Sequence, residues 1–125
     1  MPQVIRRKSV IKFIQSFRCA LRGIAQFIRS ERQAKIHLAA AVTVVATGYW
    51  LELSPVEWIL IAFCIGFVFT AEAFNTAIES LADAVHPDRH PLVAKAKDVA
   101  AGAVLIAAAT AVVVGSIVFI PKLLP

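Results

Sequence analysis

Cysteine is nearly absent from this sequence. Cys19 and Cys64 are the only two, they form no C-x-x-C pair, and Cys64 sits inside an apolar run. Free thiols are the expectation, with no redox compartment implied. No Cys/His set has zinc spacing. There is no G-x-x-x-x-G-K-[ST] and no G-x-G-x-x-G, so neither the P-loop nor the Rossmann way of holding phosphate is available. No short apolar region with a small-residue cleavage site precedes the first long apolar run near residue 36, so a cleaved signal peptide is not expected. No internal repeat or low-complexity linker is visible. Acid is scarce at the start: Glu31 is the only Asp or Glu in residues 1–50.

What is present is apolar bulk and uneven positive charge. Of 125 residues, 59% are hydrophobic, and the mean hydropathy is +0.76. A soluble domain is usually about half apolar, so lipid is expected to be part of the solvent. One domain is the count this length supports. The formal net charge is +5. Nine of 13 basic residues lie in residues 1–35: Arg6, Arg7, Lys8, Lys12, Arg18, Arg22, Arg29, Arg32 and Lys35. Arg89, Lys95 and Lys97 lie in 86–97, and Lys122 stands alone near the end. A basic arm on so apolar a chain points to a membrane surface, and no nucleic-acid partner is expected.

Three apolar segments follow: 36–51, 56–71 and 99–120. A spanning helix needs about 20 residues. The third segment meets this unaided, while the first two reach it only by including polar ends. The expected fold is therefore all-α and integral to the membrane, with three spans over 34–52, 55–85 and 93–120. Before them, Ile11, Ile14, Phe17, Leu21, Ile24 and Ile28 recur at spacings of three and four. That periodicity predicts an amphipathic surface helix over 9–33. Ser54 and Pro55 suit a helix start. HPDRHP (86–91) reads as the break between the last two helices, and Pro121 as the end of the third span.

Charge sets the expected topology. The turn 51–57 holds Glu52 and Glu57 but no Lys or Arg, and Trp50 and Trp58 flank it. The basic arm and the 84–98 connection are placed in the cytoplasm, the turn and the C-terminus outside. Small residues on the third span, among them Ala100, Ala103, Ala107, Ala111 and Gly115, permit close helix approach.

The stretch AEAFNTAIESLAD (71–83) continues the second apolar run with no proline or glycine to stop the helix. At about 100° per residue, Glu72, Glu79 and Asp83 fall within roughly 40° of one another, and Asn75 lies about 60° to one side. At about 1.5 Å per residue from Glu57, Glu72 lies roughly 22 Å along the helix, inside a hydrocarbon core about 30 Å thick. Glu79 falls near the inner boundary and Asp83 beyond it, where a solvated helix end explains it equally well. A carboxylate at Glu72's depth is costly unless paired, hydrated or neutral, and such acids are functional by default. Glu72 is therefore the candidate general base.

The other polar residues have ordinary explanations beside the functional ones. Spacing favours a local ion pair for Glu31 with Arg29, Arg32 or Lys35. Lys97 suits the positive-inside pattern and Asp98 a helix N-terminus. His37, His86 and His90 read as polar surface rather than metal ligands. Taken together, several carboxylates, an amide and lysines at one membrane face suit Mg²⁺, which shares its shell with waters and phosphates, and the basic rim suits a nucleotide. A different class is also compatible with Glu72: a small ion- or proton-coupled transporter subunit. It leaves the basic rim and Glu31 without a role.

SERQAKIH (30–37), EAFNTAIESLAD (72–83) and HPLVAKAKDVAAGAVLI (90–106) together resemble the prokaryotic diacylglycerol kinase family, from about residue 13 to 118. The resemblance implies small, homotrimeric, integral-membrane lipid kinases of the bacterial cytoplasmic membrane, with sites formed between subunits. It implies transfer of the ATP γ-phosphate to a membrane lipid alcohol. By position, Glu72 matches the catalytic base, and Glu31 and Glu79 the acids that hold Mg²⁺ with the nucleotide. Asn75, Lys97 and Asp98 match active-site polar residues, with Lys97 toward phosphate, and Asp83 matches a nucleotide-site acid. SERxxxIH, with His37, and residues 90–105 look closer to the undecaprenol kinase branch than to the diacylglycerol kinases, which remain the alternative.

Overall fold

The computed structural model describes residues 2–124, with side chains from Ser9 onward. The described chain is four helices in sequence: α1 (Pro2–Ser30), α2 (Arg32–Trp50), α3 (Pro55–Val85) and α4 (Pro91–Leu123). α3 and α4 are long and apolar enough to cross a membrane. At about 1.5 Å per residue their 31 and 33 residues give rods of roughly 45–50 Å, well beyond a hydrocarbon core of about 30 Å. Polar ends must therefore project past the apolar zone. α2, at 19 residues, is only about 28 Å long.

The starts and stops are built as local chemistry dictates. At the head of α3, Ser54 Oγ accepts from the Glu57 N–H and the Ser54 N–H donates to Glu57 Oε2 at 2.7 Å, a reciprocal capping box. Pro55 occupies the first turn, where its missing N–H costs nothing. α4 begins at Pro91, with His90 as its N-cap: the Leu92 N–H donates to His90 Nδ1 at 3.2 Å. The break at 86–90 thus falls within the expected HPDRHP stretch, and α4 starts two residues earlier than the sequence suggests.

Other boundaries differ from expectation as well, α1 starting at Pro2 instead of residue 9. Pro121 does not end α4, which continues to Leu123. The lost N–H falls in the final turn, where little helix remains to be broken. Lys122 Nζ reaches Glu57 Oε2 at 3.3 Å and ties this last turn to the head of α3. The α1–α2 break falls at Glu31, in extended conformation at φ −93, ψ 123, without a glycine or proline to announce it.

α2 closes through a Schellman arrangement. The Leu53 N–H donates to the Gly48 carbonyl and the Glu52 N–H to the Tyr49 carbonyl. Glu52 takes the left-handed position at φ 53 that glycine usually fills. Gly48 is needed for packing: a Cβ there would lie 2.8 Å from the Trp58 ring and 2.9 Å from Leu53 Cδ1. Trp58 is held by Tyr49, with ring centroids 4.8 Å apart, and Leu53 is buried. Gly48→Ala is expected to destabilise the fold by about 1–3 kcal/mol through overpacking, read as a lower Tm in detergent micelles.

α3 and α4 pack along their lengths, whereas α2 meets α3 and α1 over similarly short contacts and α1 barely touches α3. Leu53, Ile61 and Val118 form a small buried cluster near the 51–54 turn, with Val44, Trp58, Ile65, Val114 and Phe119 around it. Further along, Ala100 and Ala107 are buried on α4. Their seven-residue spacing puts them on one face of the helix, where small side chains allow close approach.

Little else is enclosed. The surface is 9791 Å², against about 6,500 Å² expected for a compact soluble protein of this mass. On α1, Ile11, Ile14, Phe17, Leu21 and Ile24 are each at least half exposed. An apolar stripe left this exposed fits the expected helix in the membrane interface. The fold is all-helical with two candidate spans among the described residues.

Candidate active site

Glu72 is the one polar residue buried among the described residues, at 5% exposure. It sits on α3 facing α2. Its Oε1 lies 3.0 Å from His37 Nε2, across 35 residues of sequence. With the carboxylate ionised, Oε1 can only accept, and the Nε2–H tautomer of His37 is the one that donates to it. The pairing meets the condition for an acid at apolar depth: it has a polar partner instead of bare hydrocarbon. His37 is therefore not idle polar surface, and the sequence reading missed it. Its signal was present, because an α2 residue at the start of an apolar helix can face an intramembrane acid, but one sequence does not show which.

Asn75 lies about one turn further along α3. Its Oδ1 is buried with no hydrogen-bond partner among the described residues. It borders a 320 Å³ hollow between α3 and α4, lined by Phe67, Ala71, Ile78, Ala100 and Ala103 among others. An orphaned buried carbonyl oxygen costs about 1–3 kcal/mol.

Glu79 and Glu31 are half-buried, and neither forms an ion pair among the described residues. For Glu31 this overturns the expected pairing with Arg29, Arg32 or Lys35. The extended backbone at Glu31 breaks the helix there, so its side chain leaves the i,i+4 geometry that pairing needs. Its contact is a long 3.4 Å hydrogen bond donated by Ser30 Oγ.

Lys97, on the first turns of α4, donates to Asp83 Oδ1 at 2.9 Å, and the charge of Glu79 also acts on it. The Asp83 side chain is 71% exposed, so this bridge is a weak clasp between α3 and α4. Asp98 is exposed. The structure thus joins Lys97 to the α3 stripe through Asp83 and buries Glu72 beside His37, while Glu31 and Asp98 stay apart. His86 and His90 organise the loop, their ring centroids 5.0 Å apart.

Among the described residues no three His, Cys, Asp or Glu side chains converge as a metal cage. The donor set still fits Mg²⁺, which commonly takes one or two carboxylates and completes its shell with waters and substrate phosphates. Of the candidate site carboxylates, Glu31, Glu79 and Asp98 have no ionic partner among the described residues, and Glu31 and Glu79 are the half-buried ones.

The profile of the family described as prokaryotic diacylglycerol kinase matches residues 18–119. The chain belongs to this family. It is thereby a member of a family of integral-membrane lipid kinases. An undecaprenol kinase from Bacillus subtilis is 43% identical over 117 residues, spanning 94% of this chain and 95% of that protein. A diacylglycerol kinase from Synechocystis is 38% identical over 110 residues, spanning 87% of this chain and 63% of that one. A diacylglycerol kinase from Escherichia coli K12 is 32% identical over 74 residues, 59% of this chain and 61% of that one. Residues 18–119 contain every candidate site residue named above, His37 included.

Proposed function

We propose that this chain transfers the γ-phosphate of ATP to the hydroxyl of a membrane lipid alcohol, undecaprenol first and diacylglycerol as the alternative. The observation that carries the reading is a carboxylate buried in an apolar candidate span, Glu72, hydrogen-bonded to His37 in a member of a lipid-kinase family. The likeness to an undecaprenol kinase across nearly both chains favours that lipid.

The chemistry follows from position. Phosphoryl transfer is mostly alignment and charge neutralisation. Glu72 takes the proton of a lipid hydroxyl held near the bilayer surface. The oxygen attacks the γ-phosphorus in line, and the bond to the bridging oxygen of ADP breaks. Asn75 offers an amide to the reacting groups. Lys97, exchanging Asp83 for phosphate, offsets negative charge, and Asp83 and Asp98 border the nucleotide. Glu31 and Glu79 would hold Mg²⁺, which when bound supplies charge neutralisation on the phosphates.

Topology and assembly belong to the same proposal. α2 would make a third span beside α3 and α4, with the N-terminal arm and the 86–90 loop in the cytoplasm of a bacterial cell and the C-terminus outside. The basic residues at those two places support this orientation. Sites between the subunits of a homotrimer would give Asn75 its partner and bring Glu31 to Glu79. The large apolar surface of the single chain supports association.

The test is purified protein in micelles with Mg²⁺, γ-labelled ATP and either lipid. Labelled lipid phosphate is the expected product. No transfer to any lipid alcohol, together with ATP-independent ion flux in liposomes that Glu72→Gln abolishes, would instead support the transporter class.

A further inference from the structure

We infer that His37 is a positioning residue for Glu72, a role that rests on the kinase reading above. Three observations carry it. The His37 Nε2–Glu72 Oε1 bond is the only side-chain hydrogen bond joining α2 to α3 among the described residues. It uses one carboxylate oxygen, and Oε2 accepts no hydrogen bond among the described residues. His37 is also reachable: its side chain keeps 24% exposure, against 7% for that of Glu72. It stands at the Glu72 end of a 390 Å³ apolar groove between α2, α3 and α4.

A glutamate has three side-chain torsions, and a buried one does its work only if an oxygen points at the incoming proton. The Nε2–H donor fixes Oε1 and so leaves Oε2, which accepts no hydrogen bond among the described residues, as the oxygen open to the proton. When the base acts, the lipid O–H bond breaks and its proton goes to Oε2. The lipid oxygen forms its bond to the γ-phosphorus, and the bridging P–O pair leaves on ADP. Oε1 keeps its bond from Nε2–H throughout, so the carboxyl group holds its aim in both protonation states. No second proton transfer at the imidazole is required.

The geometry separates this role from bulk packing. A glutamine amide nitrogen can occupy the place of imidazole Nε2, whereas an asparagine amide nitrogen overlays Nδ1 and falls short of Glu72. The experiment compares wild type, H37Q, H37N and H37A in micelles with Mg²⁺-ATP and lipid alcohol, reading kcat, the KM for ATP and Tm. H37A and H37N are expected to lose roughly 10- to 100-fold in kcat, as when a supporting hydrogen bond to a functional group is removed. H37Q should recover most of that loss, with the ATP KM little changed in all three. Equal kcat for H37N and H37Q would overturn the positioning role, as would losses that simply track Tm or appear in the ATP KM. The two readings fail differently. An inactive wild type removes the kinase reading and this role with it, whereas an active wild type that Glu72→Gln inactivates, with H37N matching H37Q, removes the His37 role alone.

Discussion

Glu72→Gln is expected to lower lipid phosphorylation by roughly 10²- to 10⁴-fold, the range for removing a general base. The substitution keeps size and shape and can still accept from His37 Nε2–H through its carbonyl oxygen, so the α2–α3 link survives. It also removes a charge from a buried site, so the fold should be no less stable. The expected signature is therefore a collapse of kcat at unchanged or raised Tm, with the ATP KM near wild type. A variant that keeps more than about half the activity would show that Glu72 is not the base. A variant that loses activity only in step with Tm would assign Glu72 a structural role.

The second large effect concerns Glu31 and Glu79. Each is half-buried and without an ionic partner among the described residues. They come from opposite parts of the chain, one at the α1–α2 break and one on α3. Glu31→Gln and Glu79→Gln should each reduce activity by roughly 100-fold or more at ordinary Mg²⁺, given that even outer contacts of a metal site are worth 10- to 100-fold. Raising Mg²⁺ should recover part of the loss, because a weakened site fills by mass action, while the KM for the lipid stays close to wild type. Asp83→Asn provides the contrast. Its bridge to Lys97 is exposed, so its loss should leave Tm nearly unchanged. An unchanged Mg²⁺ dependence in both Glu31 and Glu79 variants would remove these residues from the metal.

Much of this architecture is readable before any coordinates. The Ser54-Pro55 start of α3 is local chemistry, and its capping box forms as the residue types require. The 86–90 break follows from its two prolines and ends α3 at Val85 as expected. The burial of Glu72 follows from depth and helical period. What stayed hidden depends on contacts between distant segments. The bond from His37 to Glu72 spans 35 residues, and no local pattern encodes it. The break at Glu31 carries no glycine or proline, so an ordinary ion pair looked the better explanation there. Pro121 has the chemistry of a helix stop, yet the Lys122–Glu57 contact keeps the last turn in place. At His37 and Pro121 a tertiary contact decided between local options that the sequence left near balance.

The small-residue pattern of α4 illustrates the same limit in another way. The sequence shows that close approach is possible at Ala100, Ala103, Ala107, Ala111 and Gly115. The structure shows that Ala100 and Ala107 are the ones buried in the single chain. Asn75 adds a complementary clue. Its buried Oδ1 has no hydrogen-bond partner among the described residues. In the assembly proposed above, a substrate group or a neighbouring copy meets it.

The most direct test of the central claim places wild-type protein in vesicles containing equal amounts of undecaprenol and diacylglycerol. Mg²⁺ and γ-labelled ATP are added, and the labelled lipids are separated. Label on lipid phosphate, with undecaprenyl phosphate in excess over phosphatidic acid, is the predicted result. An excess of phosphatidic acid would contradict the lipid assignment, and label on neither lipid would contradict the kinase account itself.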